Sequence, residues 1–200
     1  MAFTFFFRDT QTLEQVRDYV VPIIRTRRFF RIWDAGCAMG PEPYTLAIIL
    51  RENMGAMIFR NVQIDATDID GSNQFAKIIE DGIYPWEQLG RIPTDIFERY
   101  FEKTDNPDQF RIIEEMRKRI TFTRHDLTQL QPLRRDYGLI ICKNVLLHFT
   151  EEMRIKVMEM YHDSLEPGGY FLTEQTQKLP ACLEDRFERV VPNAQIFRKK

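Results

Sequence analysis

The chain is 200 residues long, enough for one full domain with a core that needs neither disulfides nor metals. Lys and Arg number 28 against 30 Asp and Glu, a formal charge of −2, so the strong basic excess of a dedicated nucleic-acid binder is missing. The longest apolar runs, Leu46–Leu50 and Tyr137–Cys142, fall far short of the roughly 20 residues that span a bilayer, and no membrane insertion is expected.

The N-terminal apolar stretch is followed, not preceded, by Arg8, the reverse of a secretory leader. Cys37, Cys142 and Cys182 are odd in number and never in CxxC spacing, and no two of the three histidines have metal-ligand spacing. The expectation is a cytoplasmic protein with reduced thiols and no metal.

Residues 12–28 repeat apolar side chains at helical spacing (Leu13, Val16, Tyr19, Val20, Ile23, Ile24), with Pro22 late in the pattern. Residues 30–35 read as a strand closed by Gly36 and Gly40. A helix follows over 42–53, with Gly55 as its stop. Residues 62–67 form a second strand ending in Asp68, and helical spacing returns over 72–79 until Gly82. Residues 85–104 look like short helices, 105–108 a turn, and 110–119 fits strand or helix equally. Strands are expected over 120–124 and 138–142. A helix over 151–165 has Thr150 as its N-cap and ends at Pro167-Gly168-Gly169. A strand over 170–173 and a closing pair, 187–191 and 195–198, complete the chain. This alternation predicts an α/β fold: a mostly parallel sheet with helices on both faces and one antiparallel strand at the end.

In such sheets ligands bind beyond the carboxyl ends of the strands. The first strand leads into Gly36-Cys37-Ala38-Met39-Gly40, whose glycines let the backbone approach a ligand. The spacing is neither GxGxxG nor a P-loop. Glu42 opens the next helix, where it would repel a phosphate and accept from an ammonium group. Asp68 ends the second strand, placed to accept both hydroxyls of a ribose, while Asp70 reads as an N-cap. Asp126-Leu127 follow the third strand and suit a base; Lys143-Asn144 follow the fourth. Four strand ends thus converge on one site. Cys37 and Cys142 read as small buried residues, and Trp33 and Trp86 as packing. Arg25, Arg27, Arg28 and Arg31 fit a solvated helix end or a patch for acidic partners.

Five pieces in this order resemble the methyltransferase domain of the chemotaxis-receptor glutamate methyltransferases, the CheR type. They are Thr4-Phe5-Phe6-Phe7-Arg8, Ala35-Gly36-Cys37 with Gly40 and Glu42-Pro43-Tyr44, Ala66-Thr67-Asp68-Ile69-Asp70, Cys142-Lys143-Asn144-Val145-Leu146 with Phe149, and Leu165-Glu166-Pro167-Gly168-Gly169. The resemblance implies a Rossmann-like class I fold of seven strands, S-adenosylmethionine (SAM) as cofactor and S-adenosylhomocysteine (SAH) as product.

By matching position it implies Arg8 at the cofactor carboxylate with Thr4 nearby, Glu42 at its amino group, and Asp68 with Ile69 at the ribose side. Asp126 and Leu127 would border the adenine, and Gly36, Cys37 and Asn144 would line the cofactor site. Lys143, Asn144 and His148 would shape the methyl-transfer end. The implied acceptor is a protein glutamate on chemoreceptor cytoplasmic helices. A carboxylate is already an anion near neutral pH, so no general base is required.

The chain departs from the family in four places. Lys143 stands for Arg and His148 for Tyr; Ala38-Met39-Gly40-Pro41-Glu42 replaces Ser-Thr-Gly-Glu-Glu; the small helical domain that precedes the family's catalytic domain has no counterpart; and 102–119 lacks the glycine-bearing hairpin that holds a receptor tail. Residues 1–200 are therefore expected to be a single methyltransferase domain without tail tethering. The alternatives are a SAM-dependent enzyme with another acceptor and a SAM- or SAH-binding scaffold without turnover.

Overall fold

The computed structural model describes residues 4–200. Helix α1 (Thr10–Ile24) leads to strand β1 (Phe30–Ala35), α2 (Pro41–Phe59) and β2 (Val62–Asp68). Next come α3 (Phe75–Asp81), β3 (Ile83–Pro85), α4 (Trp86–Leu89), α5 (Thr94–Tyr100), β4 (Phe101–Lys103), β5 (Gln109–Ile112) and α6 (Glu114–Arg117). The chain closes with β6 (Ile120–Arg124), β7 (Tyr137–Cys142), α7 (Glu151–Ser164), β8 (Leu165–Thr173), β9 (Phe187–Arg189) and β10 (Gln195–Lys199).

Seven strands form one sheet in the order β6-β2-β1-β7-β8-β10-β9. Strands β6, β2, β1, β7 and β8 run parallel, and β10 is antiparallel to both its neighbours. This is the Rossmann-like architecture of class I SAM-dependent methyltransferases, with the last strand reversed as expected. One face packs against α1 and α2, whose Val16, Val20, Leu46 and Leu50 are buried there. The other packs against α7 through Val157, Met158 and Tyr161. β1 and β7 are all but dry (Ile32, Trp33, Leu139, Ile140 and Ile141 are 0% exposed), as strands covered on both faces must be.

Local details refine the sequence reading. α1 stops at Ile24, within one turn of Pro22. Gly55 breaks α2 as expected (φ 81°, ψ 163°), but one more turn follows it. α7 ends at Ser164, and Pro167-Gly168-Gly169 lies inside β8 rather than before it. Pairing jumps there from Tyr137↔Leu165 to Leu139↔Tyr170, and Gly168 adopts a φ of +74° that accommodates the bulge. No described helix is long and apolar enough to cross a membrane.

The segment expected as short helices and an ambiguous stretch contains a second, antiparallel sheet, β3-β5-β4. Its strands are three or four residues long, too short for alternation to declare them. The β4–β5 hairpin is present, turning on Asp105-Asn106-Pro107-Asp108 without a glycine. Tyr84, Phe101 and Ile112 of this small sheet are buried in the same core as α2.

Candidate functional site

Between β1 and β7 the strand order reverses, and the crevice that opens there is where an open α/β sheet receives its ligand. A cavity of about 610 Å³ lies at this point. All twelve expected residues line it: Thr4, Arg8, Gly36, Cys37, Glu42, Asp68, Ile69, Asp126, Leu127, Lys143, Asn144 and His148. Their spacing along the chain, from residue 4 to residue 148, closes into one wall because β1, β2, β6 and β7 all end on the same side.

The loop after β1 is built to approach a ligand. Gly36 has φ +101°, and a Cβ there would sit 2.1 Å from Val145 Cγ2. Its backbone N–H and that of Cys37 both donate to Thr67 O, at 2.7 and 3.0 Å. Asp68 holds the loop from the other side: Oδ2 accepts from Ala38 N at 3.0 Å and Oδ1 from Asp70 N at 3.1 Å. Each carboxylate oxygen keeps a further lone pair for a hydroxyl. Asp70 is not the N-cap residue expected of it, since α3 starts at Phe75 with Gln74 in that position, but from five residues ahead its carboxylate accepts from Gln74 N and Phe75 N at the helix start. Asp126 accepts from Thr128 N and Oγ1, and these bonds hold its carboxyl below the ordinary value.

The floor of the site is an acidic cluster around one cation. Lys143 Nζ donates to Glu42 Oε2 at 2.8 Å and lies 3.3 Å from Asp9 Oδ2, with its side chain 1% exposed. Burial alone would lower its pKa, but the charges of Glu42 and Asp9 more than offset that and hold it above the ordinary lysine value. Lys143 is therefore a charged tie between the helix that carries Glu42 and the strap that carries Arg8.

The strap itself is kinked: Phe7 and Asp9 have φ of 57° and 50°. It is anchored by Phe7 N donating to Thr45 Oγ1 (3.0 Å), by Thr10 Oγ1 donating to Phe7 O (2.7 Å), and by Phe6, fully buried edge-on to Tyr84 and Phe101. Phe6 belongs to the core, whereas Phe5 lines the cavity.

Sequence reasoning missed three groups. Asp34 is 1% exposed, and neither of its oxygens has a hydrogen-bond partner. Burial pushes its carboxyl well above the ordinary value, and the charges of Glu42 and Asp68 add to this against Lys143. An acid inside the strand run Phe30-Arg31-Ile32-Trp33-Asp34-Ala35 was the available signal. Glu174, at the end of β8, accepts from Asn144 N at 3.0 Å and so fixes a residue with φ of 59°. His125 also lines the cavity, its backbone N–H donating to Asp68 O. Cys37 and Cys142 are buried free thiols whose pKa values burial pushes up, so neither is an activated nucleophile. Among the described residues no cluster of His, Cys, Asp and Glu suits a metal ion.

These features fit SAM. Glu42, Asp68 and Asp126 line the cavity, while the charge of Lys143 is met by Glu42 and Asp9, so carboxylates remain for the cationic and hydroxyl groups of a ligand. SAM brings a sulfonium and an ammonium.

A family model described as "CheR methyltransferase, SAM binding domain" matches residues 2–195. The "Chemotaxis protein methyltransferase" of Vibrio parahaemolyticus serotype O3:K6 is 30% identical over 199 residues, covering 98% of this chain and 71% of that protein. "Chemotaxis protein methyltransferase 1" of Pseudomonas aeruginosa is 30% identical over 195 residues, covering 94% and 69%. Among solved structures, the magnesium protoporphyrin IX methyltransferase of Synechocystis PCC 6803 with bound SAH is 17% identical, covers 84% of this chain and 56% of its own, and has a TM-score of 0.45. The strand order, not that distant likeness, assigns the fold. With the family match spanning almost the whole chain, this chain belongs to the CheR methyltransferase family and is a SAM-dependent methyltransferase.

Proposed function

We propose that residues 1–200 form one methyltransferase domain that esterifies a glutamate side chain on a chemoreceptor-type acceptor in the cytoplasm. The observation that carries the reading is the convergence of all twelve expected residues on one cavity at the switch point. When bound, SAM supplies an electrophilic methyl group on a sulfonium sulfur.

Arg8 would hold the cofactor's carboxylate in a fork, with Thr4 beside it. Glu42 would accept from the amino group while Lys143 keeps that carboxylate in place. Asp68 would accept from the ribose hydroxyls, next to Ile69. Asp126 and Leu127 would border the adenine, and Gly36 and Cys37 would present backbone. Asn144, fixed by Glu174, and exposed His148 would face the acceptor.

Transfer forms an O–C bond at the acceptor carboxylate and breaks the C–S bond. No proton has to be removed, so the residues serve to align nucleophile, carbon and sulfur, a large contribution in itself. The β4–β5 turn has no glycine, and receptor-tail tethering is not part of the proposal.

The test uses membranes bearing chemoreceptors and SAM labelled in its methyl group. Label on the receptor that base releases as methanol supports the ester. Base-stable label assigns a nitrogen acceptor instead, and tight SAM binding with no transfer makes the chain a sensor or scaffold.

A further inference from the structure

An anionic acceptor needs a cation at the mouth of the site, and most of the candidates are spoken for. The side chain of Lys143 is buried and bound by two carboxylates. Arg8 has the cofactor carboxylate as its assigned partner. Arg91, in the loop between α4 and α5, is different. Its guanidinium carbon sits 4.1 Å from the centroid of the Phe5 ring, and Phe5 lines the cavity. Arg8 approaches the same ring at 5.8 Å. Arg91 is solvent-exposed, and no carboxylate among the described residues pairs with it.

Stacking on an aromatic face holds a guanidinium by its plane and leaves its N–H edge free for a carboxylate. Phe5 follows Thr4 and precedes Phe6 and Arg8, so Arg91 lies beside the end of the cavity assigned to the methionine part of the cofactor, where the methyl group is carried. The loop of Arg91 lies in the connection from β3 to β4, and the small antiparallel sheet these strands belong to rests on the strap, since Tyr84 and Phe101 pack against Phe6. Leu147, which also lines the cavity, is 49% exposed, an apolar side chain open to solvent at the same site. A cation and an exposed apolar side chain at one site suit an amphipathic acidic helix.

We propose that Arg91, held on Phe5, is a specificity-determining residue that receives a carboxylate of the acceptor segment beside the reacting one. This rests on the reading of the acceptor as a glutamate-bearing segment.

The test is binding of the SAH-loaded protein to a helical peptide carrying glutamates one turn apart, and to the same peptide with Gln at those positions. The Glu peptide is expected to bind more tightly than the Gln peptide. Arg91→Ala should weaken the Glu peptide about five-fold and the Gln peptide not at all, with Arg91→Lys recovering part of the loss. The difference should shrink in high salt, which a purely structural role would not produce. SAH affinity and Tm should stay at wild-type values. Equal binding of the Glu peptide by wild type and Arg91→Ala overturns the proposal, as does equal binding of the two peptides by the wild type. A parallel loss of SAH affinity would make Arg91 a support for the strap. Base-labile methylation of the Glu peptide is read separately and bears on the acceptor reading alone.

Discussion

Asp34 and Lys143 show how single side chains set the electrostatics of this site. Asp34 binds its proton more tightly in the folded chain than in the unfolded one, chiefly because it is buried. A folded state that holds the extra proton loses stability as pH rises above the ordinary value of 3.8. A neutral amide has no such loss. In the cofactor-free protein, Asp34→Asn is therefore expected to raise Tm near pH 8, by about 1–3 kcal/mol of stability. That advantage should fade towards pH 4; a gain that is the same at both ends contradicts the account. Lys143→Met does the opposite, leaving Glu42 and Asp9 without their cation. Removing one partner of a buried pair costs about 3–5 kcal/mol, and the exposed position of Asp9 puts this case at the lower end. The measurement is Tm, with Lys143→Arg as the variant that should stay close to wild type; a Tm unmoved by Lys143→Met would mean the tie is idle.

At the scale of elements, the strap over residues 4–9 is held by one buried ring more than by its hydrogen bonds. Phe6→Ala removes edge-on contacts with Tyr84 and Phe101 and should cost about 3–5 kcal/mol. Because Thr4, Phe5 and Arg8 ride on the same strap, SAM affinity should fall beyond what the loss of folded protein explains. Calorimetry at a temperature where the variant is folded checks this, and wild-type affinity there would uncouple strap from site.

The elements also show what was legible in advance. β1, β2, β6 and β7 declared themselves by apolar content, and a loop residue at each strand end could be read as a ligand contact because topology sends those ends to one place. The three- and four-residue strands of the small sheet carried no period, so the sheet that frames the loop of Arg91 was not foreseen. The bulge at Gly168 was hidden by Pro-Gly-Gly, which usually marks a stop. Contacts between residues far apart in sequence, Asp9 with Lys143 and Glu174 with Asn144, leave no local trace at all.

At the scale of the whole molecule, one feature organises the rest: the reversal of strand order between β1 and β7 brings an acidic floor, a glycine loop and a strap around a single cavity. The measurement that tests this most directly is calorimetric titration with SAM and SAH of the wild type, Glu42→Ala and Asp68→Ala. The account predicts one saturable site in the wild type. It predicts at least a ten-fold loss of affinity in each variant, about 1.4 kcal/mol or more. In Asp68→Ala a small drop in Tm is also expected, since that residue holds Ala38 N and Asp70 N. Saturable binding that neither substitution weakens would contradict the assignment of this cavity as the cofactor site.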